Sequence, residues 1–359
     1  MKIHFVLGTK AELIKMVGIL KELDKRKIPY SFIHTGQHTK ATVDLIKDFG
    51  IKFPHKWLTQ RSNDLETPLE ALTWAIKCVL KGRRSKLFKK GDLVVVHGDT
   101  ESTLIGTILA KLYGCELVHI EGGLRSFDIF NPFAEEIIRR ITDRFSSYVF
   151  CTSEWSCSNI IKEKLKTKII NIRANTVIDA ISLATNKNRD LKIPKKKYAI
   201  LMLHRKETLY VEEKLKKALK ILKKITESID TILILSKKSE YVLKKVGALE
   251  ELKKNPKVLI KYYYDYPDFM HLVDKCEFIA ADSGGLQEET YFLNKPYLIL
   301  REKTERKEGL GANSLLSKMK IKNVDYFLEN YSTLKRKDKI KFKSPSKITV
   351  DYLQKIIEK

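Results

Sequence analysis

The sequence predicts an α/β protein built from two Rossmann-like domains, each a parallel sheet covered by helices. Short runs rich in β-branched residues alternate with longer stretches of helical periodicity, which is the pattern of parallel strands joined by helices. The chain has 359 residues, which is long for one hydrophobic core and sufficient for two. A polar, basic stretch at 186–197 contains Pro194 and separates two such alternating regions, so we interpret it as an interdomain linker.

These observations predict the domain boundaries. We expect an N-terminal Rossmann-like domain over residues 1–185 and a C-terminal Rossmann-like domain over residues 186–345. The last residues, 346–359, have helical spacing at 349–357 and are expected to form a helix that packs back across the domains.

The strands of the first half are predicted from short apolar runs, and its helices from apolar stripes between those runs. Ile3–Leu7 is predicted as a buried strand, and apolar residues three to four apart make 12–23 a helix. Leu93–His97 is almost wholly apolar, as expected at the centre of a parallel sheet. The other predicted strands are 30–34, 116–120, 144–151 and 168–172, and the other helices are 39–49 and 102–112.

The same alternation restarts after the linker. The predicted strands are 198–203, 231–235, 278–281 and 297–300, and the first long helix is 211–226. Ligands of such sheets bind at the carboxyl ends of the strands, so the strand-to-helix turns are the expected positions of site residues.

Composition narrows the classes of function. The formal net charge of +25 suggests an anionic partner, but the lysines are spread along the chain without interleaved aromatics, so nucleic acid is not expected. No apolar run reaches about eighteen residues, and Ile3–Leu7 meets Gly8 too early for a signal peptide, so we expect a cytoplasmic protein without a membrane partner. The five scattered cysteines suit neither a zinc site nor a disulfide framework.

Four turns of the first half carry candidate chemistry. Gly8 and Thr9 precede a helix that could receive an anion, with Lys10 and Lys15 adding charge, although an ordinary capped helix start explains them equally well. Asp99 follows the apolar strand and could be a helix cap. Glu121 stands before two glycines on a bare turn, which packing alone does not explain. Glu135 and the acid after it lie near a helix start, where the macrodipole favours acids.

Two turns of the second half add polar groups. His204 ends a strand beside basic residues, although a lone histidine is more often structural. A strand followed by Ser283-Gly284-Gly285 and a helix with acids in its first turn predicts a backbone cradle for a diphosphate. Glu289 lies a little over one turn into that helix, within reach of ribose hydroxyls, and Arg306 adds a cation nearby in sequence. Carboxylates, a histidine and phosphate-type donors at strand ends together predict one site.

The motifs in order resemble the UDP-N-acetylglucosamine 2-epimerase family. The resemblance runs from residue 2 to about 310 and rests on GTKAELIKM (8–16), HGDT (97–100), HIEGGLRS (119–126), AEEIIRR (134–140), LHRKE (203–207), DSGGLQEE (282–289), KPYLILR (295–301) and TER (304–306). It implies a fold like that of the GT-B glycosyltransferases with the substrate in a central cleft, a homodimer, and no metal or redox cofactor.

The resemblance also implies roles for individual residues. The acid/base carboxylates of the family fall on Asp99, Glu121 and Glu135, and its catalytic histidine on His204. Its substrate-binding positions fall on Lys10, Lys15, Arg139, Phe269, Ser283, Gly284, Gly285, Glu289 and Arg306. Among them, the family's diphosphate and uridine contacts fall on Lys15, Ser283, Gly284, Gly285 and Glu289, and Phe269 matches the aromatic beside the uracil.

Three departures from the family pattern qualify these roles. Lys10-Ala11 replaces the usual Arg-Pro, which keeps a charge and loses the bidentate fork suited to phosphate. Ala134 replaces the usual proline before the paired acids. Residues 57–66 do not show the glutamine-rich pattern linked to allosteric substrate binding in some members, so activation by substrate is not expected.

The resemblance implies a reaction that removes the C2 proton of a UDP-linked 2-acetamido sugar, expels UDP and re-adds it. The first-helix pattern and the TER segment favour a non-hydrolysing epimerase. A hydrolysing enzyme that releases N-acetylmannosamine and UDP, and an epimerase of a modified sugar, stay open. A GT-B glycosyltransferase is disfavoured because it needs only one general base. The remaining alternative is a non-catalytic protein, either a nucleotide-sugar sensor or a polyanion-binding protein that uses the +25 charge.

Overall fold

The computed structural model of the protein consists of two compact units. The model describes residues 1–60, 67–127, 133–185, 194, 196–262, 264–304, 307–336 and 343–358. The first unit comprises Met1–Leu183 and Phe342–Lys359, and the second comprises Ala184–Lys341. The predicted linker falls mostly outside the described residues, because only Pro194, Lys196 and Lys197 of it are described.

The first unit is built on a seven-stranded sheet in the order β3-β2-β1-β4-β5-β6-β7, and each neighbouring pair is parallel. Its strands are β1 (Ile3–Leu7), β2 (Tyr30–His34), β3 (Lys56–Trp57), β4 (Leu93–His97), β5 (Glu116–Ile120), β6 (Tyr148–Cys151) and β7 (Lys168–Asn171). The helices between them are α1 (Lys10–Lys25), α2 (Thr39–Phe49), α3 (Pro68–Arg84), α4 (Glu101–Leu112), α5 (Phe133–Phe145), α6 (Glu154–Lys162) and α7 (Val177–Thr185).

The second unit is built on a six-stranded parallel sheet in the order β10-β9-β8-β11-β12-β13. Its strands are β8 (Tyr198–Leu203), β9 (Asp230–Leu235), β10 (Val258–Lys261), β11 (Phe278–Ala281), β12 (Tyr297–Ile299) and β13 (Ser314–Leu316). Its helices are α8 (Lys206–Leu209), α9 (Glu212–Ser228), α10 (Lys237–Lys245), α11 (Ala248–Lys254), α12 (Tyr266–Lys275), α13 (Gly284–Leu293) and α14 (Ile321–Asn330).

The last helix, α15 (Pro345–Ile357), belongs to the first unit and packs on α1. The Arg26 guanidinium donates to the Asp351 carboxylate at 2.6 Å, and the Phe150 ring meets the Tyr352 ring edge-on at 6.2 Å. Gly18 of α1 makes this approach possible, since a Cβ there would lie 2.5 Å from the Ser346 hydroxyl.

The predicted fold class is confirmed, because both units are parallel sheets covered by helices. The central strands β1, β4, β8 and β11 are buried along almost their whole length, as their apolar sequences predict. The predicted strand 144–151 is wrong at its start, because Arg144 and Phe145 continue α5 and the strand begins at Tyr148. The central cleft between the domains stays a prediction.

Within the part of the chain that the structure describes, every helix is too short or too polar to cross a membrane.

Candidate active site

Glu121 lies directly after β5, and its carboxylate is held by three side chains. The Lys15 ammonium donates to both oxygens, at 2.7 Å to Oε1 and 2.6 Å to Oε2. Asn175 Nδ2 donates to Oε1 at 3.1 Å, and His97 Nε2 lies 2.9 Å from Oε2. The Glu121 backbone has φ of +67°, which is uncommon for a residue with a side chain and typical of functional positions. The fold therefore presents one carboxylate in a fixed position at the carboxyl edge of the sheet.

The electrostatic surroundings keep Glu121 ionised. Burial alone would raise the pKa of this carboxyl, because the side chain is only 7% exposed. The positive charge of Lys15 and the hydrogen bond from His97 outweigh burial and hold the pKa well below its ordinary value. Lys15 was assigned to the diphosphate by resemblance; in the structure its ammonium binds Glu121, from which it is 106 residues distant in sequence.

Asp99 and Glu135 are brought to one guanidinium, that of Arg139. Arg139 Nη2 contacts Asp99 Oδ2 directly and lies 3.5 Å from Glu135 Oε2, while Nη1 lies 3.4 Å from Glu136 Oε2. Asp99 follows β4, whereas Glu135 and Arg139 are one turn apart on α5. The structure thus places two of the predicted acid/base carboxylates together, and it places Arg139 between them.

The turn after β1 is a capped helix start. The Glu12 carboxylate accepts hydrogen bonds from the Gly8 and Thr9 backbone N–H groups at 2.9 and 2.7 Å, and Thr9 accepts from the Glu12 N–H. Glu12 also accepts from the Thr100 hydroxyl at 2.7 Å, which ties this turn to the one that carries Asp99. Of the two interpretations of this turn, the structure favours capping, because Glu12 already binds two of the N–H groups that an anion would need. Lys10, the first residue of α1, is half-buried beside this cap.

In the second unit, His204 is held by a buried carboxylate that sequence analysis did not single out. Asp282 Oδ1 lies 3.0 Å from His204 Nδ1, and Asp282 also accepts from the His204 and Arg205 backbone N–H groups at 3.1 Å each. Asp282 is fully buried, whereas the His204 side chain is 41% exposed. Burial would raise the pKa of the Asp282 carboxyl, but its hydrogen bonds with His204 lower it. This arrangement leaves His204 Nε2 as the nitrogen available for a ligand.

The Ser-Gly-Gly turn stands at the N-terminus of α13, as predicted. Ser283 is the N-cap residue, and the Tyr297 hydroxyl donates to the Ser283 carbonyl at 2.6 Å, which holds the turn in place. A Cβ at Gly285 would meet nothing within 4 Å, so the backbone there is open to a ligand. The prediction of acids in the first turn of α13 is wrong, because the helix begins at Gly284 and Glu289 falls in its second turn.

Glu289 is held by Tyr266, the first residue of α12. The Tyr266 hydroxyl donates to Glu289 Oε1 at 3.0 Å, and burial together with the Glu289 charge raises the pKa of that phenol well above its ordinary value. Phe269, one turn further along α12, is half-buried. The predicted ribose and uracil contacts therefore lie on two helices, α13 and α12, which the Tyr266–Glu289 hydrogen bond connects. Arg306 falls outside the described residues.

Four residues that contact the predicted site were missed from sequence: His97, Asn175, Asp282 and Tyr266. His97 and Asp282 stand in the motifs HGDT and DSGGLQEE, next to residues that were singled out, and their strand-end positions were the available signal. Asn175 lies outside the motifs and its sequence position gave no signal, whereas Tyr266 stands three residues before Phe269, a position that the resemblance had matched.

Two Rossmann-like domains, with clustered carboxylates in the first and a histidine and a Ser-Gly-Gly turn in the second, define a GT-B-like α/β enzyme. The chain belongs to the UDP-N-acetylglucosamine 2-epimerase family, whose model matches residues 21–352.

Relatives extend over nearly the whole chain. A UDP-N-acetylglucosamine 2-epimerase of Methanocaldococcus jannaschii is 34% identical over 340 residues, covering 90% of each chain. A crystal structure of the UDP-GlcNAc 2-epimerase from that organism matches this structure with a TM-score of 0.82, at 28% identity and with complete coverage of both chains. A second structure from the same organism, in complex with UDP-GlcNAc and UDP, matches with a TM-score of 0.79, at 29% identity and with complete coverage.

Proposed function

We propose that this chain is a UDP-N-acetylglucosamine 2-epimerase that interconverts UDP-N-acetylglucosamine and UDP-N-acetylmannosamine. The observation that carries the proposal is the grouping of Asp99, Glu121 and Glu135 at the carboxyl edge of one parallel sheet, in a chain of this family. An epimerisation at carbon requires groups that remove a proton and return it to the other face, and several carboxylates in one site supply them.

The first half of the proposed reaction is an elimination. A carboxylate takes the C2 proton, the C2–H electron pair forms the C1=C2 double bond, and the C1–O bond breaks to release UDP. The products held by the enzyme are 2-acetamidoglucal and UDP. A C2–H beside an acetamido group is only weakly acidic, so the base must stand within hydrogen-bond reach of it.

Groups of the second domain suit the departing diphosphate. His204 presents Nε2, the Ser283–Gly285 segment presents a helix N-terminus, and the backbone at Gly285 is open. Such donors stabilise negative charge that develops on a leaving group. Lys10 and Arg306 keep the diphosphate-binding roles that the family resemblance implies for them.

The second half reverses the first with opposite stereochemistry at C2. UDP adds back to C1 while a proton is delivered to the other face of C2, which returns the sugar diphosphate as its epimer. We propose this non-hydrolysing course because of the first-helix pattern and the TER segment. It requires the intermediate to be shielded from water until UDP adds back.

The alternatives differ in their products. A hydrolysing 2-epimerase would release free N-acetylmannosamine and UDP, whereas an enzyme for a modified UDP-2-acetamido sugar would leave UDP-N-acetylglucosamine unchanged. A GT-B glycosyltransferase would consume the donor only in the presence of an acceptor.

The experiment that tests the proposal approaches equilibrium from both sides. Purified protein is incubated separately with UDP-N-acetylglucosamine and with UDP-N-acetylmannosamine, and the sugar diphosphates are separated by chromatography. We expect the same mixture from either start, with UDP below a few per cent of the total. Accumulation of UDP would contradict the non-hydrolysing course. No conversion in either direction would contradict the proposed identity of the substrate.

We also propose that the protein is a homodimer that pairs through α3 and α4. Leu69, Leu72, Ile76 and Leu80 form one face of α3 and are between 49% and 70% exposed, and Leu112 of α4, which packs beside α3, is 54% exposed. A contiguous apolar face of this kind marks an interface, and a second copy of this chain is the partner that the family resemblance implies.

Size-exclusion chromatography with light scattering tests the proposed dimer. The wild type is expected at twice the chain mass, and Ile76→Lys is expected to shift it toward the monomer. A wild-type monomer at micromolar concentration would contradict the proposed pairing.

A cytoplasmic location also remains a prediction, which cell fractionation would test.

A further inference from the structure

One buried carboxylate, that of Asp143, contacts the turn that carries Glu121 directly and the turn that carries Asp99 through His119. Asp143 lies near the end of α5 and its side chain is fully buried. Its Oδ2 accepts from the Gly123 backbone N–H at 3.1 Å, two residues after Glu121. Its Oδ1 lies 2.7 Å from His119 Nδ1. Burying a charged carboxylate costs free energy unless neighbouring groups compensate the charge, so the contacts of this side chain indicate its role.

His119 carries the contact on to the turn of Asp99. His119 Nε2 lies 2.7 Å from the carbonyl oxygen of Gly98, the residue immediately before Asp99. Because a carbonyl oxygen only accepts hydrogen bonds, Nε2 must be the donor. The pair Asp143–His119 therefore connects α5, the turn after β5 and the turn after β4, and these three segments carry Glu135, Glu121 and Asp99.

Close contacts explain the two glycines that follow Glu121, and those of the first involve this pair. A Cβ at Gly122 would lie 2.6 Å from Asp143 Oδ1 and 3.0 Å from His119 Nδ1, which are closer than a carbon can come. Gly123 has φ of +79°, where side chains are strained, and a Cβ there would lie 2.3 Å from the Ser156 carbonyl oxygen. Gly122 therefore lets Asp143 and His119 pack against this turn, whereas Gly123 is required by its own backbone conformation and by the nearby Ser156 carbonyl.

Further charges compensate Asp143 and fix the rest of α5. Arg125 Nη1 donates to Asp143 Oδ2 at 2.7 Å, and Arg125 also makes two hydrogen bonds to Glu163, at 2.7 and 2.8 Å. Burial would raise the pKa of the Asp143 carboxyl, but His119 and Arg125 lower it, so Asp143 is ionised at neutral pH. On the same helix, Arg140 Nε donates to Glu136 Oε1 at 2.9 Å, beside Glu135.

We propose that Asp143 and His119 are positioning residues that set the relative placement of Asp99, Glu121 and Glu135. This proposal rests on the proposed function, in which those three carboxylates exchange protons with the substrate. A displacement of about 1 Å at reacting groups costs roughly a hundredfold in rate, so loss of the pair lowers kcat. Substrate affinity changes little, because the predicted uracil and ribose contacts and the Ser283–Gly285 segment lie in the other domain.

The main variant is Asp143→Asn, with Thr142→Val as the matched control. Thr142 is the neighbouring buried residue of α5, and its hydroxyl accepts from Thr107 at 3.3 Å. We expect Asp143→Asn to lower kcat at least about tenfold with KM within about threefold of the wild type. We expect Thr142→Val to retain the wild-type kcat.

Amide hydrogen exchange gives a second measurement that does not depend on activity. In Asp143→Asn, peptides spanning 97–100 and 119–125 are expected to exchange at least about tenfold faster, while the β1 and β6 peptides keep their protection. Two further variants cover the case in which Asp143→Asn does not fold. Glutamine at 119 places its amide nitrogen near the position of Nε2, and asparagine near that of Nδ1, so His119→Asn is expected to loosen 97–100 more than His119→Gln does.

Wild-type kcat in folded Asp143→Asn, or equal exchange at 97–100 in the two His119 variants, would overturn the proposal. A rise in KM without a fall in kcat would also overturn it. A wild type that turns over none of the UDP-sugars would instead refute the proposed function, and the exchange measurement would still decide the positioning role.

Discussion

Lys15 Nζ lies 2.7 Å from Oε1 and 2.6 Å from Oε2 of Glu121, so one ammonium binds both oxygens of this carboxylate. Glu121 is also the least exposed of the three predicted acid/base carboxylates, at 7% against 27% for Asp99 and 51% for Glu135. The geometry gives Lys15 a role in fixing Glu121, beside the diphosphate contact that the family resemblance implies.

A double-mutant cycle distinguishes these two roles of Lys15. If Lys15 acts through Glu121, then Lys15→Met and Glu121→Gln each lower kcat, and the double variant is within about threefold of Glu121→Gln alone. Steady-state kinetics of the four proteins provides the measurement. If the two single-variant losses in kcat multiply in the double variant, and Lys15→Met also raises KM, then Lys15 acts on the diphosphate independently of Glu121.

The three carboxylates are expected to be individually necessary. Replacing Asp99 by Asn, or Glu121 or Glu135 by Gln, removes a proton-transfer group at nearly constant size, and we expect turnover to fall at least about a hundredfold in each variant. Glu116→Gln on β5 serves as the control, because Glu116 lies at the opposite end of the strand from Glu121. Near-normal activity in any one amide variant would refute the role of that carboxylate, and near-normal activity in all three would refute the whole assignment.

Arg139 is expected to act through Asp99 and Glu135. The planar guanidinium contacts both carboxylates, and a lysine at this position cannot reproduce the fork. We expect Arg139→Lys to lower kcat about ten- to a hundredfold with KM nearly unchanged. Arg144→Lys, an exposed change on the same helix, is the control. A raised KM at unchanged kcat would identify Arg139 as a substrate contact, as the resemblance implied.

Tyr266 is expected to affect nucleotide binding. Its hydroxyl donates to Glu289 at 3.0 Å, and Tyr266→Phe leaves that carboxylate without this bond at little change in volume. We expect UDP to bind about three- to tenfold more weakly by calorimetry, with kcat nearly unchanged. Tyr264→Phe, two residues earlier, is the control. Unchanged UDP affinity in Tyr266→Phe would argue against a ribose contact by Glu289.

The Glu121 ion pair predicts a pH dependence of stability. The pKa of Glu121 is lowered in the folded protein, so its contribution to the free energy of unfolding is complete above the ordinary pKa of about 4 and is lost as the pH falls through the folded pKa. We expect the Tm difference between wild type and Glu121→Gln to be largest near pH 7 and to shrink below pH of about 4. Calorimetric scans across this range measure it, and a difference that grows toward acid would contradict the ionised state.

The sheets could be predicted from sequence because central parallel strands are apolar along their whole length, as in Leu93–His97. Helix α3 was not predicted, because apolar side chains lie on both of its sides. Trp74 and Cys78 are buried, while Leu72 and Ile76 are exposed, so the amphipathic pattern that marks a surface helix is blurred. The start of β6 was misplaced because the apolar Phe145 ends α5 just before the strand.

The site could be predicted to the level of strand-end motifs but not of side-chain pairs. Asp99 and Glu121 were found because they stand in turns at the carboxyl edge of a sheet, and Glu135 because it stands near a helix start. Their partners come from distant positions, as for Glu121 with Asn175, 54 residues later, and His204 with Asp282, 78 residues later. Contacts between residues so far apart depend on the tertiary fold, and a single sequence does not encode them as a local pattern.

The central claim is that the enzyme breaks the C2–H bond of a UDP-linked 2-acetamido sugar and keeps the diphosphate. We would incubate the purified protein with UDP-N-acetylglucosamine in D2O and follow the proton and phosphorus NMR spectra. The account predicts deuterium at C2 in the recovered sugar diphosphates, with UDP-N-acetylmannosamine present and no growth of free UDP. Epimerisation without deuterium at C2, or free UDP accumulating with N-acetylmannosamine, would contradict it.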